Sequence, residues 1–299
     1  MVRVASLRRR WNEWWFAEEP PHALALLRIC FGGFLLFYWG LKLPYADLLF
    51  SDRGLLLPLI PAADFGFFEP LFSPSAGMAF STVSLLCLSL FLFTLGVGMR
   101  WTGLLAFILY SYEWFLALHQ FSTSFDRLFL FVLLILLCSG ADRTFSYAMQ
   151  RKHGSWFAWE PASVLPLRLI AVQIAATYFG VGWQKLWLPA WKGGEILAYS
   201  FVGPWGSAPA FALVRVNLPM WFYDGLVWVV KFFEFLLAVG LFVRRWQWYF
   251  FLGGAVFHIF IAVFMEIWWF LILIPAYVVF LPPREVYAYL RARCPGKIR

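Results

Sequence analysis

The chain has 299 residues, of which 63% are hydrophobic, 22% aromatic and only 13% charged, and its mean hydropathy is +0.74. A soluble domain of this length could not bury so much apolar surface, so the composition excludes a soluble protein and indicates an integral membrane protein. The net charge of +8 would also suit nucleic-acid binding, and its distribution along the chain decides between the two explanations.

Eight apolar segments follow one another along the chain and are candidates for membrane-spanning helices. Their unbroken apolar character favours helices over barrel strands, which alternate in polarity over about ten residues. We therefore predict an all-α integral membrane protein, a bundle of about eight transmembrane helices of about 20 residues each. The predicted spans are 23–44, 77–98, 101–119, 125–141, 164–188, 223–243, 246–265 and 267–282.

Two further apolar regions lack the character of spans. Residues 48–76 and 192–221 are interrupted by prolines and glycines, which break helices. We expect both regions to form apolar loops at the outer face of the membrane. The transmembrane domain then covers residues 23–282, between a basic segment at 1–22 and a basic tail at 283–299, without a folded soluble domain.

Lysine and arginine are distributed unevenly between the two sides of this arrangement. One side holds only Arg53, Lys192 and Arg215 in its loops. Because basic loops face the cytoplasm, both termini are predicted to be cytoplasmic, and the net charge needs no nucleic acid. The first apolar run has no cleavage site of the kind that follows a signal peptide. The basic side holds Arg3, Arg8, Arg9, Arg10, Arg100, Arg143, Arg151, Lys152, Arg244, Arg245, Arg284, Arg291, Arg293, Lys297 and Arg299.

Several charged residues fall within the predicted spans. Lys231 and Glu234 are three residues apart in the sixth span, so they share a helix face and are expected to form an ion pair that locks helix packing. Asp126 and Arg127 open the fourth span, where they are expected to cap the helix at the water interface. Glu113 in the third span needs a hydrogen-bond donor that the sequence does not identify.

Lys185 stands apart from these charges because no acidic residue lies within a helical turn of it. Tyr178, Val181, Gly182 and Lys185 share one face of the fifth span, where the glycine leaves a gap for a planar ring. An amine that loses its proton in an apolar site can act as a base near neutral pH. The alternative is that Lys185 extends its amine to the nearby membrane interface.

His258 lies in the middle of the seventh span. A lone histidine there is either a hydrogen-bonded core residue or a proton-transfer group. The sequence has no second histidine or cysteine at metal-ligand spacing, so we predict no metal site. It also lacks a phosphate-binding glycine loop and a nucleophile-elbow serine.

The chain resembles the HTTM (horizontally transferred transmembrane) family, which includes the vitamin K-dependent gamma-glutamyl carboxylases. The resemblance extends along most of the chain. It lies in "LALLRICFGGFLL", which contains Arg28, in the polar entry to span four before "SGADRTFSYA", and in Glu234 and His258. The most specific part is "YFGVGWQKLWLPAW", which contains Lys185.

The resemblance implies a particular chemistry. In the carboxylase branch, the lysine matching Lys185 deprotonates reduced vitamin K, which then reacts with O2 and removes a proton from glutamate. CO2 traps the carbanion, and the quinone epoxide is the by-product. By this resemblance Lys185 and His258 are the candidate catalytic residues. The expected cofactors are a reduced quinone (vitamin K hydroquinone or menaquinol), O2 and CO2. The candidate cofactor-binding residues are Tyr178, Trp183, Asp126, Arg127, Arg28 and Glu234.

Two departures from the carboxylase pattern bear on the substrate. The carboxylases carry an Asn-His pair near the entry of span four, where this chain has Ser124-Phe125-Asp126-Arg127. The animal enzyme also has a large luminal domain that holds the glutamate-rich peptide, and these 299 residues contain no counterpart. We therefore expect the quinol-reacting membrane core without the protein-carboxylating part.

Three hypotheses follow. The first is a bacterial inner-membrane enzyme that oxygenates a reduced quinone, coupled to carboxylation or maturation of a peptide. The second is a quinone- or lipid-binding membrane subunit that assists a partner protein, in which Lys185 only hydrogen-bonds its ligand. The third, a transporter, predicts an inverted repeat and broken helices in the middle of the membrane, and we find neither in the sequence. The expected partners are membrane lipid, quinone, and a peptide, protein substrate or soluble partner, but no nucleic acid.

Overall fold

The computed structural model describes residues 2–56, 66, 69–118 and 124–294. Parts of the predicted outer loop at 48–76 and of the basic tail at 283–299 lie outside these residues. The regular structure of the described chain is helical apart from one two-stranded ribbon, which agrees with the all-α part of the predicted fold class. It forms two compact units, Met1–Leu167 with Leu281–Arg299, and Arg168–Phe280.

The first unit is built from helices packed in chain order. In its interior α5 packs against α2 and α6, and α6 packs against α7. A two-stranded antiparallel ribbon pairs β1 (Glu18–Glu19) with β2 (Ala162–Ser163). The helices are α1 (Val2–Phe16), α2 (His22–Gly40), α3 (Ala46–Phe50), α4 (Glu69–Phe72), α5 (Ala76–Leu95), α6 (Met99–Leu116), α7 (Ser124–Leu137), α8 (Tyr147–His153) and α15 (Pro283–Arg293).

The ends of α5 follow familiar capping rules. The Ser75 hydroxyl accepts a hydrogen bond from the Met78 backbone N–H at the first turn. Gly96 ends the helix in the left-handed conformation, with φ of 69°. A Cβ at Gly96 would also collide with the guanidinium of Arg28 and the side chain of Ser146. Glycine is therefore required there both for the backbone turn and for the close approach of Arg28.

The second unit begins within α9 (Leu165–Trp187) and ends in a broken helical segment. Short 3₁₀ turns cover Pro189–Trp191, Trp268–Ile272 and Tyr277–Phe280. The predicted eighth span, 267–282, is thus divided among three short elements, and Pro275 inside it lacks a backbone N–H for a continuous helix. The other helices are α10 (Glu195–Val202), α11 (Ala208–Arg215), α12 (Met220–Gly240), α13 (Gln247–Met265) and α14 (Leu273–Ala276).

The region 192–221, predicted as an outer-face loop, contains two helices. α10 packs against α11 and α12, and its Leu197 and Phe201 form a buried cluster with Ala210, Tyr223 and Val227. Ser207 caps α11 by accepting a hydrogen bond from the Ala210 N–H. The prolines and glycines of this region separate the two helices instead of preventing them.

Four helical segments of the described chain are long and apolar enough to cross a membrane: His22–Phe50, Ala76–Leu95, Leu165–Trp187 and Gln247–Met265. A fifth arises if 268–280 and 283–293 are counted together as one broken span. Helical structure occupies all eight predicted spans, but α7 has only 14 residues and α12 carries Asp224, Lys231 and Glu234. The Gln247–Met265 segment has a mean hydropathy of 1.9 and only 11% of it is buried, as expected for a helix that contacts lipid.

Candidate functional site

The second unit contains an apolar cavity of about 270 Å³. Residues of α9, α10, α12 and α13 form its walls, and Trp191 and Phe270 come from the 3₁₀ turns. Most of the lining is hydrocarbon or aromatic. Five of the residues singled out in the sequence line this cavity: Tyr178, Val181, Lys185, Glu234 and His258.

Lys185 is bound to an acid from another helix. Its Nζ donates a hydrogen bond to Oε1 of Glu234, and the two side chains are only 13% and 6% exposed. The same amine lies 4.5 Å from the centre of the Trp191 ring. The partner of Lys185 is therefore 49 residues away in the chain, which explains why no acid was found within a helical turn of it.

The expected ion pair between Lys231 and Glu234 is not formed. Lys231 donates from Nζ to the Trp191 carbonyl oxygen, at 2.6 Å, and lies over the Trp228 ring at 4.4 Å. Their spacing places both residues on one side of α12, but Glu234 points to Lys185 on α9 instead. Sharing a helix face made the pair geometrically feasible without deciding which lysine the carboxylate meets.

Trp191 is held by both lysines, Lys185 at its ring and Lys231 at its carbonyl oxygen. The loop beyond it is fixed as well, because the Gly194 N–H donates to Oδ1 of Asp224 at 2.7 Å. A Cβ at Gly194 would collide with Tyr223 and with the backbone of Asp224. Trp191 thus forms a positioned wall of the cavity next to the Lys185 amine.

A chain of three polar side chains lies beside the ion pair. The Tyr178 hydroxyl is 2.5 Å from Nε2 of His258 and 2.7 Å from the Tyr277 hydroxyl. Tyr277 was not identified from the sequence. Gly254, one helical turn before His258, marks the place where Tyr277 approaches α13, because a Cβ there would collide with the Tyr277 ring and hydroxyl. Glycine at this position lets Tyr277 approach α13 closely enough to reach Tyr178.

Two polar atoms of the lining residues have no hydrogen-bond partner among the described residues. They are Oε2 of Glu234 and Nδ1 of His258. Buried polar atoms are nearly always satisfied, and each one left unpaired costs about 1–3 kcal/mol. The apolar walls and these unpaired atoms together suit a ligand that is largely hydrocarbon and carries hydrogen-bonding groups.

The remaining predicted features of α9 lie outside the cavity lining. The position of Gly182 faces Cβ of Glu234 and the Phe235 ring, each 3.4 Å from where a Cβ would lie, so α12 fills the gap expected to admit a planar ring. Trp183 is 49% exposed and stacks on Phe179, with ring centres 6.3 Å apart.

Arg28 belongs to the first unit and is completely buried there. Its guanidinium donates to the carbonyl oxygens of Ala141, at 3.0 Å, and Phe145, at 2.5 Å. Both carbonyls lie in the connection that follows α7. Arg28 thus satisfies backbone acceptors of a buried turn, which is a structural role.

Asp126 and Glu113 of the first unit are also buried, at 2% and 0% exposure. Asp126 lies in the first turn of α7 but accepts hydrogen bonds from the hydroxyls of Tyr110, at 2.7 Å, and Tyr38, at 3.2 Å. Asp126 is therefore buried and does not lie at the water interface, where it was expected. The donor to Glu113 is the Thr82 hydroxyl, at 2.5 Å. Arg127 is exposed.

Comparisons of the chain with protein-family models, curated proteins and solved structures found no match. No group of three or more His, Cys, Asp or Glu side chains suited to a metal ion occurs in the part of the chain that the structure describes. A functional assignment therefore rests on the residues and their geometry.

Proposed function

We propose that this chain is a membrane enzyme of the HTTM type that binds a reduced quinone in the cavity of the second unit. The observation that carries this proposal is that Lys185, Glu234 and His258 line one otherwise apolar cavity. Its volume of about 270 Å³ lies just below the usual range of small-molecule sites, which starts at about 300 Å³. It suits a ring system better than a ring with its complete isoprenoid tail.

Lys185 is the proposed base. Its Nζ passes the proton that it shares in the ion pair to the Glu234 carboxylate, along the hydrogen bond that already joins the two side chains. The free amine then takes the proton of a ring hydroxyl, so that the ring O–H bond breaks, an N–H bond forms, and Glu234 holds the displaced proton. The apolar walls exclude water from the resulting ammonium ion and ring oxyanion, which strengthens their interaction.

His258 and Tyr178 are the proposed hydrogen-bonding groups for the ring oxygens. Tyr178 is positioned by its contacts to His258 and Tyr277, and the unpaired Nδ1 of His258 is available to a ligand oxygen. When bound, a reduced quinone supplies the ring carbons that react with O2 to give the epoxide. Carboxylation or maturation of a peptide, with CO2 as the further reactant, is the proposed coupled reaction.

We further propose an eight-span arrangement in the bacterial inner membrane, with both termini in the cytoplasm. Two observations support it. Helical structure coincides with each of the eight apolar segments, and most of the lysines and arginines lie on one side of that arrangement. Lys185 then lies near the outer end of its span.

The ion pair itself supports a second candidate function, a non-catalytic quinone- or lipid-binding subunit that assists a partner protein. A lysine held by a carboxylate can serve as a fixed hydrogen-bond donor to a ligand carbonyl or phosphate. In that case Lys185→Arg retains function, because arginine also donates hydrogen bonds. A base does not survive this change, because arginine stays protonated.

The test uses detergent-purified protein with vitamin K hydroquinone or menaquinol under O2, and epoxide is measured by mass spectrometry. We expect epoxide from the wild type and none from Lys185→Ala or Lys185→Arg. Lys192→Ala, which removes an exposed lysine seven residues away, is the matched control and keeps activity. In the Lys185→Met/Glu234→Gln double variant neither charge remains, so any loss of epoxide there does not result from misfolding caused by an unpaired Glu234. If Lys185→Arg and the wild type form equal amounts of epoxide, Lys185 is not the base.

A further inference from the structure

A second cavity, of about 350 Å³, lies within the first unit. It is formed where α6 begins, α7 ends and α9 begins, and includes residues of the connection between α7 and α9. Unlike the cavity around Lys185, its wall is more polar than apolar. Because α9 is a candidate span that starts at Leu165, the cavity lies at an edge of the membrane.

Two arginines line this cavity without acidic partners. Arg100, in the first turn of α6, and Arg143, after α7, form no ion pair with any residue that the structure describes. Two cations on one polar cavity repel each other and favour an anion between them. The predicted membrane topology places both on the cytoplasmic side.

The acidic residues that line this second cavity interact with cations other than Arg100 and Arg143. The Glu160 carboxylate accepts hydrogen bonds from Lys152, at 2.5 Å, and His153, at 3.0 Å. These contacts hold the pKa of Glu160 below its usual value. Asp142 interacts electrostatically with the buried Arg28. The charges of Arg100 and Arg143 therefore remain available to a ligand.

Arg143 is held in place before any ligand arrives. Its Nη1 donates to the Pro161 carbonyl oxygen, and its side chain passes so close to Gly140 that a Cβ there would lie 3.1 Å from Cδ. The first turns of α6 and α9 also contribute to the lining, and helix N-termini carry partial positive charge. The cavity therefore offers a fixed guanidinium and the first turns of two helices to a ligand.

We infer that this cavity binds a phosphate group, as carried by the headgroup of an anionic phospholipid of the cytoplasmic leaflet. Guanidinium groups match phosphate oxygens in geometry as well as in charge. Basic sites at the cytoplasmic ends of membrane helices are where anionic headgroups bind. This inference is independent of the reaction proposed at Lys185.

Cys138 provides a direct readout because it is exposed and lines the cavity. The experiment uses the full chain in detergent, with Cys30, Cys87 and Cys294 replaced by serine, and follows the rate at which N-ethylmaleimide modifies Cys138. Phosphatidylglycerol, phosphatidylcholine and inorganic phosphate are added separately at constant ionic strength. The variants are Arg100→Gln, Arg143→Gln and the control Arg151→Gln, an exposed arginine outside the cavity.

We expect phosphatidylglycerol to slow the modification of Cys138, and Arg100→Gln or Arg143→Gln to weaken this lipid's binding about fivefold. Arg151→Gln should behave like the starting protein. Protection by phosphatidylglycerol alone identifies a lipid headgroup, whereas equal protection by inorganic phosphate identifies a soluble phosphate source. Equal protection by phosphatidylcholine, or the same phosphatidylglycerol protection in Arg100→Gln and Arg151→Gln, would overturn the inference. Arg100→Gln is decisive because that side chain is exposed and its loss should not disturb folding.

Discussion

Lys185 and Glu234 form an ion pair between two different helices, largely withdrawn from water. Removing one member of such a pair leaves an uncompensated charge in an apolar cavity, whereas removing both leaves none. The contribution of the ion pair to stability can therefore be tested apart from the proposed reaction, because stability is measured without any substrate.

We predict that Glu234→Gln and Lys185→Met each lower the free energy of unfolding by about 3 kcal/mol, near the lower limit for a broken buried pair. The free energy of unfolding of the double variant should fall by clearly less than the sum of the two single losses. Unfolding of the detergent-solubilised protein measures all three. Lys192→Met, at an exposed position, should remain within about 0.5 kcal/mol of wild type. Strictly additive losses would contradict a direct pair.

Gly254 allows Tyr277 to approach α13 closely. An added methyl group collides with Tyr277, so Gly254→Ala should displace the ring from Tyr178 and cost about 1–3 kcal/mol through overpacking. Gly180→Ala is the control, because a Cβ at Gly180 meets no atom within 4 Å. Thermal unfolding of both variants measures the difference. If Gly254→Ala unfolds like Gly180→Ala, Tyr277 does not depend on this close approach.

Glu160 makes the protein's stability depend on pH. Its pKa is lower in the folded protein than in the unfolded chain, where a glutamate has a pKa of about 4.3. The Lys152 and His153 contacts therefore stabilise the fold above that pH, and this contribution is lost as pH falls through the folded-state pKa. Because the pair is partly exposed, the effect should be below about 1 kcal/mol. The difference in the free energy of unfolding between the wild type and Glu160→Gln should be smaller at pH 3 than at pH 7.

At the scale of elements, α10 links the buried cluster of the second unit to the cavity. Phe201 is completely buried in that cluster and also lines the cavity, whereas Tyr199 on the same helix is 72% exposed. An eight-residue helix is too short to be stable alone, so its conformation depends on this packing.

Phe201→Ala should therefore destabilise the protein by about 3–5 kcal/mol, as expected for deleting a buried aromatic side chain. Tyr199→Ala removes a ring of similar size from the exposed face and should have little effect. Limited proteolysis at 192–207, together with unfolding measurements, reports the release of α10. Comparable losses for the two variants would show that α10 is not held by this cluster.

The sequence predicted the positions of the long helices well, because unbroken apolar runs are strong signals. It did not predict α10 and α11, because frequent prolines and glycines concealed two short helices between turn residues. Within the site, Tyr178, Lys185, Glu234 and His258 were identified as candidates, but the contacts that join them were not, and Tyr277 was missed. Glu234 and Tyr277 reach them by tertiary packing over 49 and 99 residues, which helical periodicity does not encode.

At the scale of the whole molecule, the proposed orientation can be tested with single cysteines in a cysteine-free chain. Lys192 and Arg151 are both exposed and lie on opposite sides of the proposed arrangement. Lys192→Cys should react with a membrane-impermeant maleimide in intact cells, and Arg151→Cys only after permeabilisation. The same labelling pattern at both positions would contradict an odd number of spans between them.

The three-membered chain of Tyr277, Tyr178 and His258 has a consequence for the imidazole tautomer. If the hydroxyls donate toward His258, Nε2 accepts and the ring proton is on Nδ1; if Nε2 donates, every bond reverses and Nδ1 becomes an acceptor. Nδ1 has no partner among the described residues, so a ligand that donates or accepts there selects one direction. The choice reaches the Tyr277 hydroxyl without any backbone movement, and the ¹⁵N chemical shifts of His258 would record it.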